Sequence, residues 1–199
     1  MPRTTRRQAI RTIAAGMGAA ASSVWVDNLR ALAQKHALHA SAFVDAAQAA
    51  GAVRPKILNA QQFELVGTLV ELIIPTTDTP GAKAAKVDAY VDAVLASAQP
   101  ADRERFLAGL NWLDRRSRAL YGKGFNVATT EQQIGLLTRI SDDVKGSSEA
   151  REGREFFAAI KSMTIAGYYT TEIGLNQELG DDGHLVLAEF EGCTHKEHQ

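Results

Sequence analysis

Asn59-Ala60-Gln61-Gln62-Phe63-Glu64-Leu65-Val66-Gly67-Thr68-Leu69-Val70-Glu71-Leu72-Ile73-Ile74-Pro75 is the stretch on which the fold is decided. Asn59 with Gln62 three residues later has the composition of a capping box, in which each side chain satisfies a backbone N–H of the other's turn. Phe63, Val66, Leu69, Val70 and Ile73 then recur at three- and four-residue spacing, which draws one buried stripe along a helix. Pro75 lacks the N–H that another turn needs and restricts the residue before it, so the helix stops there. Pro75, Pro80 and Gly81 punctuate the stretch up to Ala82, and they predict an ordered loop.

Outward from this helix the same grammar repeats. Val87, Tyr90, Val91, Val94 and Leu95 predict a helix ending before Pro100, and Pro100 is suited to open another. Phe106, Leu110, Leu113 and Leu120 carry that helix inward-facing to Gly122, a C-cap residue. Thr130 with Gln133 predicts a capped helix through Leu136, Leu137 and Ile140. After a polar break at Lys145 to Ser148, Glu149 to about Thr171 reads as the longest helix, with Phe156, Ile160, Met163 and Tyr168 or Tyr169 inward. Periodicity fades beyond Gly174, where Leu185 to Leu187 would be a short extended piece. The expected fold is all-α, a compact helical bundle with an irregular C-terminal arm.

The N-terminus has a different character. Arg6 and Arg7 precede a weakly apolar, alanine-rich run from Thr12 to Val26 that contains no acidic residue. Basic start, apolar middle and small-residue exit describe a twin-arginine export signal, the route that carries folded proteins. Ala19-Ala20-Ala21 and Ala31-Leu32-Ala33 both offer small residues for cleavage; the second divides the chain into a signal, 1–33, and a single helical domain, 34–199. An uncleaved amphipathic N-terminal helix is the competing reading. The apolar run is shorter than the roughly 20 residues a bilayer span needs. The expected location is periplasmic, with no membrane span after signal removal.

Composition narrows the function. With 45% hydrophobic residues in 199, the chain is globular. A formal charge of −1 and the lack of a basic stripe with aromatics argue against nucleic acid. No glycine-rich phosphate cradle, haem-attachment motif or nucleophile elbow occurs, so no cofactor and no catalytic residue is expected in this chain. Glu71 and Asp78 flank the Pro75 turn, where two carboxylates could share acid–base work; a turn in which Asp78 accepts backbone N–H groups is the stronger reading. The single cysteine, Cys193, precedes His195 and His198. It is inert, bonded to another chain, or part of a zinc-type site with those histidines and His184. A stand-alone exported metal-binding protein is the alternative this cluster supports.

Glu71-Leu72-Ile73-Ile74-Pro75-Thr76-Thr77-Asp78-Thr79-Pro80-Gly81-Ala82, with the twin-arginine start and Val87-Asp88-Ala89-Tyr90-Val91-Asp92, resembles the gluconate 2-dehydrogenase subunit 3 family. The likeness extends through Phe156-Phe157, Gly167-Tyr168-Tyr169-Thr170-Thr171-Glu172-Ile173-Gly174 and the closing Phe190-Glu191-Gly192-Cys193. The resemblance implies a non-catalytic small subunit of a periplasmic sugar dehydrogenase. Its partner would be a large flavoprotein of the glucose–methanol–choline class, holding FAD, with a c-type cytochrome carrying haem as a further subunit. The small subunit would support maturation and stability of the flavoprotein and supply the export signal for both. The Gly-Tyr-Tyr-Thr and Gly-Cys-Thr-His segments look most like versions that accompany glycoside 3-dehydrogenases. The implied partner surface is Pro75, Thr76, Thr77, Asp78, Thr79, Pro80 and Gly81, with Tyr168, Tyr169 and Cys193 beside them.

Overall fold

The structure, a computed structural model, describes residues 23–37, 54–142 and 148–180, with residues 142 and 148–150 described by backbone alone. Among the described residues six α-helices run in chain order: α1 (Val24–Ala37), α2 (Ala60–Ile73), α3 (Val87–Ser97), α4 (Pro100–Tyr121), α5 (Thr130–Asp142) and α6 (Ser148–Tyr168). A 3-10 turn, Phe125–Val127, joins α4 to α5, and a π-helical turn, Ile173–Glu178, follows α6. No strand occurs among the described residues. The all-α expectation therefore holds, while Leu185 to Leu187 lie outside the described residues.

Local chemistry sets the boundaries. The Asn59 side chain accepts from the Gln62 N–H at 2.9 Å, and the Gln62 side-chain oxygen accepts from the Asn59 N–H at 3.0 Å. Helix α2 ends at Ile73, with Ile74 as its C-cap directly ahead of Pro75. Pro100 opens α4, and Gly122 closes it in the left-handed region with φ 69°. The cap of α5 lies one residue earlier than the sequence suggested. Thr129 and Gln132 exchange the bonds, and Gln133 turns inward to donate to the Phe125 carbonyl at 2.7 Å. Both pairs fit the capping pattern, and the demand of the buried Phe125 carbonyl chooses between them.

Helix α6 is the axis of the bundle and packs against α1, α2, α3, α4 and α5. Its Phe156, Ile160, Met163 and Tyr168 are fully buried, as the periodicity requires, and Tyr169 is half-buried. Phe156 meets Phe106 of α4 in a tilted pair with ring centroids 5.2 Å apart, a geometry that adds about 0.5–1.5 kcal/mol to the burial itself. Two expectations need correction. Leu120 is 36% exposed because the inward stripe of α4 runs on through the buried Ser117, whose hydroxyl donates to the Lys123 carbonyl. Among the described residues the longest helix is α4, at 22 residues, against 21 in α6. Helix α6 stops early because the Thr171 hydroxyl donates to the Tyr168 carbonyl at 2.7 Å, closing the last turn.

At the other end of the chain, α1 is a full member of the core. Trp25, Val26, Leu29 and Ala33 are each 4% exposed or less. The helix packs mainly on α6 and also on α3 and α4. The division of the chain at residues 33 and 34 therefore falls inside α1. Arg6 and Arg7 lie outside the described residues.

Candidate functional site

The site grows from the end of α2. With Pro75 blocking the helix, the chain must turn back to start α3, and the loop closes on itself. The Ala82 N–H donates to the Ile74 carbonyl at 2.9 Å, the Thr77 N–H to the Thr79 carbonyl at 3.0 Å, and the Val87 N–H to the Ala82 carbonyl at 3.1 Å. Lys86 adopts φ 59°, and this left-handed residue redirects the backbone into α3.

Glu71, on the last turn of α2, gathers the loop. Its Oε1 accepts from the Thr76 N–H at 2.8 Å and from the Thr76 hydroxyl at 2.7 Å; its Oε2 accepts from the Lys83 N–H at 3.1 Å. The same Thr76 hydroxyl accepts from the Gly81 N–H at 2.9 Å. A carboxylate accepting several N–H and O–H groups is a strong local clamp, because charged acceptors form the tighter hydrogen bonds. Only glycine fits at position 81: a Cβ there would lie 2.6 Å from both Glu71 oxygens and from the Thr76 nitrogen. The carboxylate expected to organise the turn was Asp78. In the structure Asp78 accepts the Thr77 hydroxyl at 2.7 Å, and the Thr76 and Lys83 N–H groups go to Glu71. The spacing explains it: Glu71 sits beneath the loop and reaches both of its limbs, whereas Asp78 stands at its exposed tip.

Two contacts from the C-terminal part of the chain fix the loop against the bundle. The buried Tyr168 hydroxyl donates to the Pro80 carbonyl at 2.8 Å. The Thr79 hydroxyl donates to Glu178 at 2.7 Å, at the end of the π-helical turn. That turn is itself set by Thr171, whose hydroxyl accepts the Gly174 N–H at 3.1 Å. Gly174 runs so close to the Tyr168 carbonyl that a Cβ would meet its oxygen at 2.1 Å. The Gly167–Gly174 segment is thus the fitting by which α6 reaches back to the loop. Tyr169 stands edge-on to Tyr168, with centroids 5.2 Å apart and planes at 85°.

Of the residues singled out in the sequence, the structure brings Pro75 to Gly81 together with Tyr168 and Tyr169 on one side of the bundle. Thr76, Thr77 and Asp78 are exposed, Pro75, Thr79, Pro80 and Tyr169 half-buried, and Gly81 and Tyr168 buried. Leu179, next to Glu178, is 61% exposed and adds an apolar side chain to the same end. Cys193, His184, His195 and His198 lie outside the described residues. Among the described residues no group of three or more His, Cys, Asp or Glu side chains could hold a metal ion.

One anchoring residue had no separate signal in the sequence. Asp92, 3% exposed in α3, accepts the Lys56, Ile57 and Leu58 N–H groups at 2.6, 3.0 and 2.9 Å. It ties the entry to α2 onto α3. Its neighbour Asp88 has its carboxyl pKa raised above the usual 3.8, because burial disfavours the charged form more than Ala89, Lys86 and Lys83 favour it.

A model of the family described as gluconate 2-dehydrogenase subunit 3 matches residues 60–182. The match begins at the first residue of α2, contains the clamped loop, Asp92 and the Tyr168 segment, and leaves α1 outside. Neither the curated proteins nor the solved structures contain a match to this chain.

Proposed function

This chain belongs to the gluconate 2-dehydrogenase subunit 3 family, accessory subunits of dehydrogenase complexes whose cofactors lie in other subunits, and from that premise we propose a finer role. The protein is the non-catalytic small subunit of an exported, FAD-dependent sugar or glycoside dehydrogenase. It supports folding and flavin loading of a large subunit of the glucose–methanol–choline class. A c-type cytochrome with haem takes the electrons onward. Arg6 and Arg7 supply the twin-arginine signal that carries the assembled pair to the periplasm.

The observation that carries this reading is the family match across the clamped loop. Glu71 from below, Tyr168 from α6 and Glu178 from the π-helical turn hold a proline-containing loop in one shape while its tip stays exposed. A loop ordered before it meets a partner loses little entropy on docking, so its contacts count almost fully toward affinity. Hydrogen bonds spent this way support a shape; they leave Glu71 as an acceptor and assign it no proton to transfer.

Co-expression tests the proposal. The large subunit produced with this chain is expected to be soluble, FAD-loaded and exported; produced alone, it is expected to be insoluble or flavin-poor and to stay in the cytoplasm. A large subunit that is soluble, loaded and exported without this chain overturns the assignment. So does sugar oxidation by the isolated small subunit.

A further inference from the structure

Helix α1 buries a continuous apolar face against the bundle, and this bears on where an export signal can be removed. Trp25 and Ala33 frame a buried face, 4% and 0% exposed, with Val26 and Leu29 between them at 1% each. Polar contacts pin the helix at Trp25, Asn28 and Ala33. The Trp25 indole N–H donates to Glu155 of α6 at 3.0 Å, and the Asn28 amide donates to Asp102 of α4 at 3.0 Å. The Tyr90 hydroxyl of α3 donates to the Ala33 carbonyl.

A protease that removes a signal must bind the residues around the cut in an extended form. Ala31-Leu32-Ala33 has the small side chains such an enzyme selects, yet in the folded protein it is helical and Ala33 is completely buried. Cleavage there requires α1 to leave the bundle first, exposing Tyr90 and the facing side of α6. Local opening of a helix with a continuous apolar face is rare at equilibrium, and proteolysis follows the population of the open form. The order of events matters. If the chain folds before it is exported, as the proposed route requires, α1 is already docked when the protease meets it.

We propose that Val24–Ala37 is a permanent helix of the mature protein, and that folding shields the Ala31–Ala33 sequence so that any processing falls before Ser23. This rests on the export reading above, and the experiments separate the two. N-terminal sequencing and intact mass of the protein from the periplasmic fraction should give a chain that retains Ser23 to Ala37. A mature chain beginning at Gln34 overturns the proposal.

The second arm does not depend on export. Purified full-length protein is exposed to elastase, which cuts after small residues. No cut is expected within Ser23 to Ala37 under native conditions, and rapid cutting after Ala31 or Ala33 overturns the proposal. Leu29→Asp should unseat the helix and speed cutting at Ala31–Ala33 at least tenfold. Should that variant fail to fold, Tyr90→Phe, which removes only the bond to the Ala33 carbonyl, should speed it severalfold. An unchanged rate in the folded variant counts against docking as the source of protection. Replacing Arg6 and Arg7 by lysine and fractionating the cells reads export alone; loss of the export reading leaves the elastase result standing.

Discussion

Glu71→Gln isolates the clamp beneath the loop. The substitution keeps the size of the side chain and one carbonyl oxygen, which can still serve the Thr76 N–H and hydroxyl. The new amide NH2 takes the place of Oε2 and faces the Lys83 N–H, 3.1 Å from it, donor against donor. One backbone hydrogen bond is lost, a contribution of about 1 kcal/mol, and the bonds to Thr76 lose their charge assistance. Because Glu71 is half-buried, water replaces part of the loss, and the net cost should be about 1–2 kcal/mol. That is a factor of roughly 5–30 in a local opening equilibrium. Amide exchange by NMR reads it directly: Thr76, Gly81 and Lys83 should exchange about 5–30-fold faster, while Leu69 in the core of α2 should keep its protection. Glu71→Ala removes all three bonds and should go further, about 2–3 kcal/mol. Affinity for the large subunit should fall in the same order. If Thr76 and Lys83 keep wild-type exchange rates in both variants, the loop is not held by this carboxylate and the argument fails.

Tyr168→Phe removes the donor to the Pro80 carbonyl from a buried ring; about 1–1.5 kcal/mol should be lost, lowering Tm by roughly 2–6 °C in a calorimetric scan. Asp92→Asn presents an NH2 to one of three backbone N–H donors, and should cost about 2–4 kcal/mol; a urea midpoint equal to wild type at equal m-value contradicts the anchoring role. Asp88 has a raised folded-state pKa, so the folded protein holds its proton more tightly than the unfolded chain. Stability should therefore decline as pH rises from the unfolded value of 3.8 through the folded one. Asp88→Asn should remove that decline, be the more stable protein at neutral pH, and lose its advantage below the unfolded pKa; denaturant curves at several pH values check the sign. Phe156→Ala, at the crossing of α4 and α6, should cost about 3–5 kcal/mol, and cooperative unfolding at an unchanged midpoint would place the core elsewhere.

Much of the helical frame was legible because its signals are local. A cap acts over three residues, a proline over its own turn, and an apolar stripe over one helix, so Asn59, Pro75, Pro100 and Gly122 could be read without knowing what packs where. The pieces that were misread fail for the same reason. Thr129 and Thr130 offer equivalent local caps, and the choice belongs to a buried carbonyl on another element. Leu120 has the right spacing but sits where the stripe has turned past the neighbour that would cover it. Asp78 looked like the organiser of its loop because it is inside the loop, whereas Glu71 governs from the helix below.

Sequence by itself determined that this is an all-α chain, where most of its helices start and stop, and which family it belongs to, since each of these is written in short-range patterns. Tertiary structure alone decided that the Pro75–Gly81 loop is held by Glu71, Tyr168 and Glu178, and that Trp25, Val26, Leu29 and Ala33 of α1 are buried in the core. Tyr168 and Pro80 are 88 residues apart, and Trp25 and Glu155 are 130 apart. No periodicity or spacing encodes such pairs. They exist because the burial of several helix faces at once brings distant segments within hydrogen-bond reach, where most buried polar groups then find a partner.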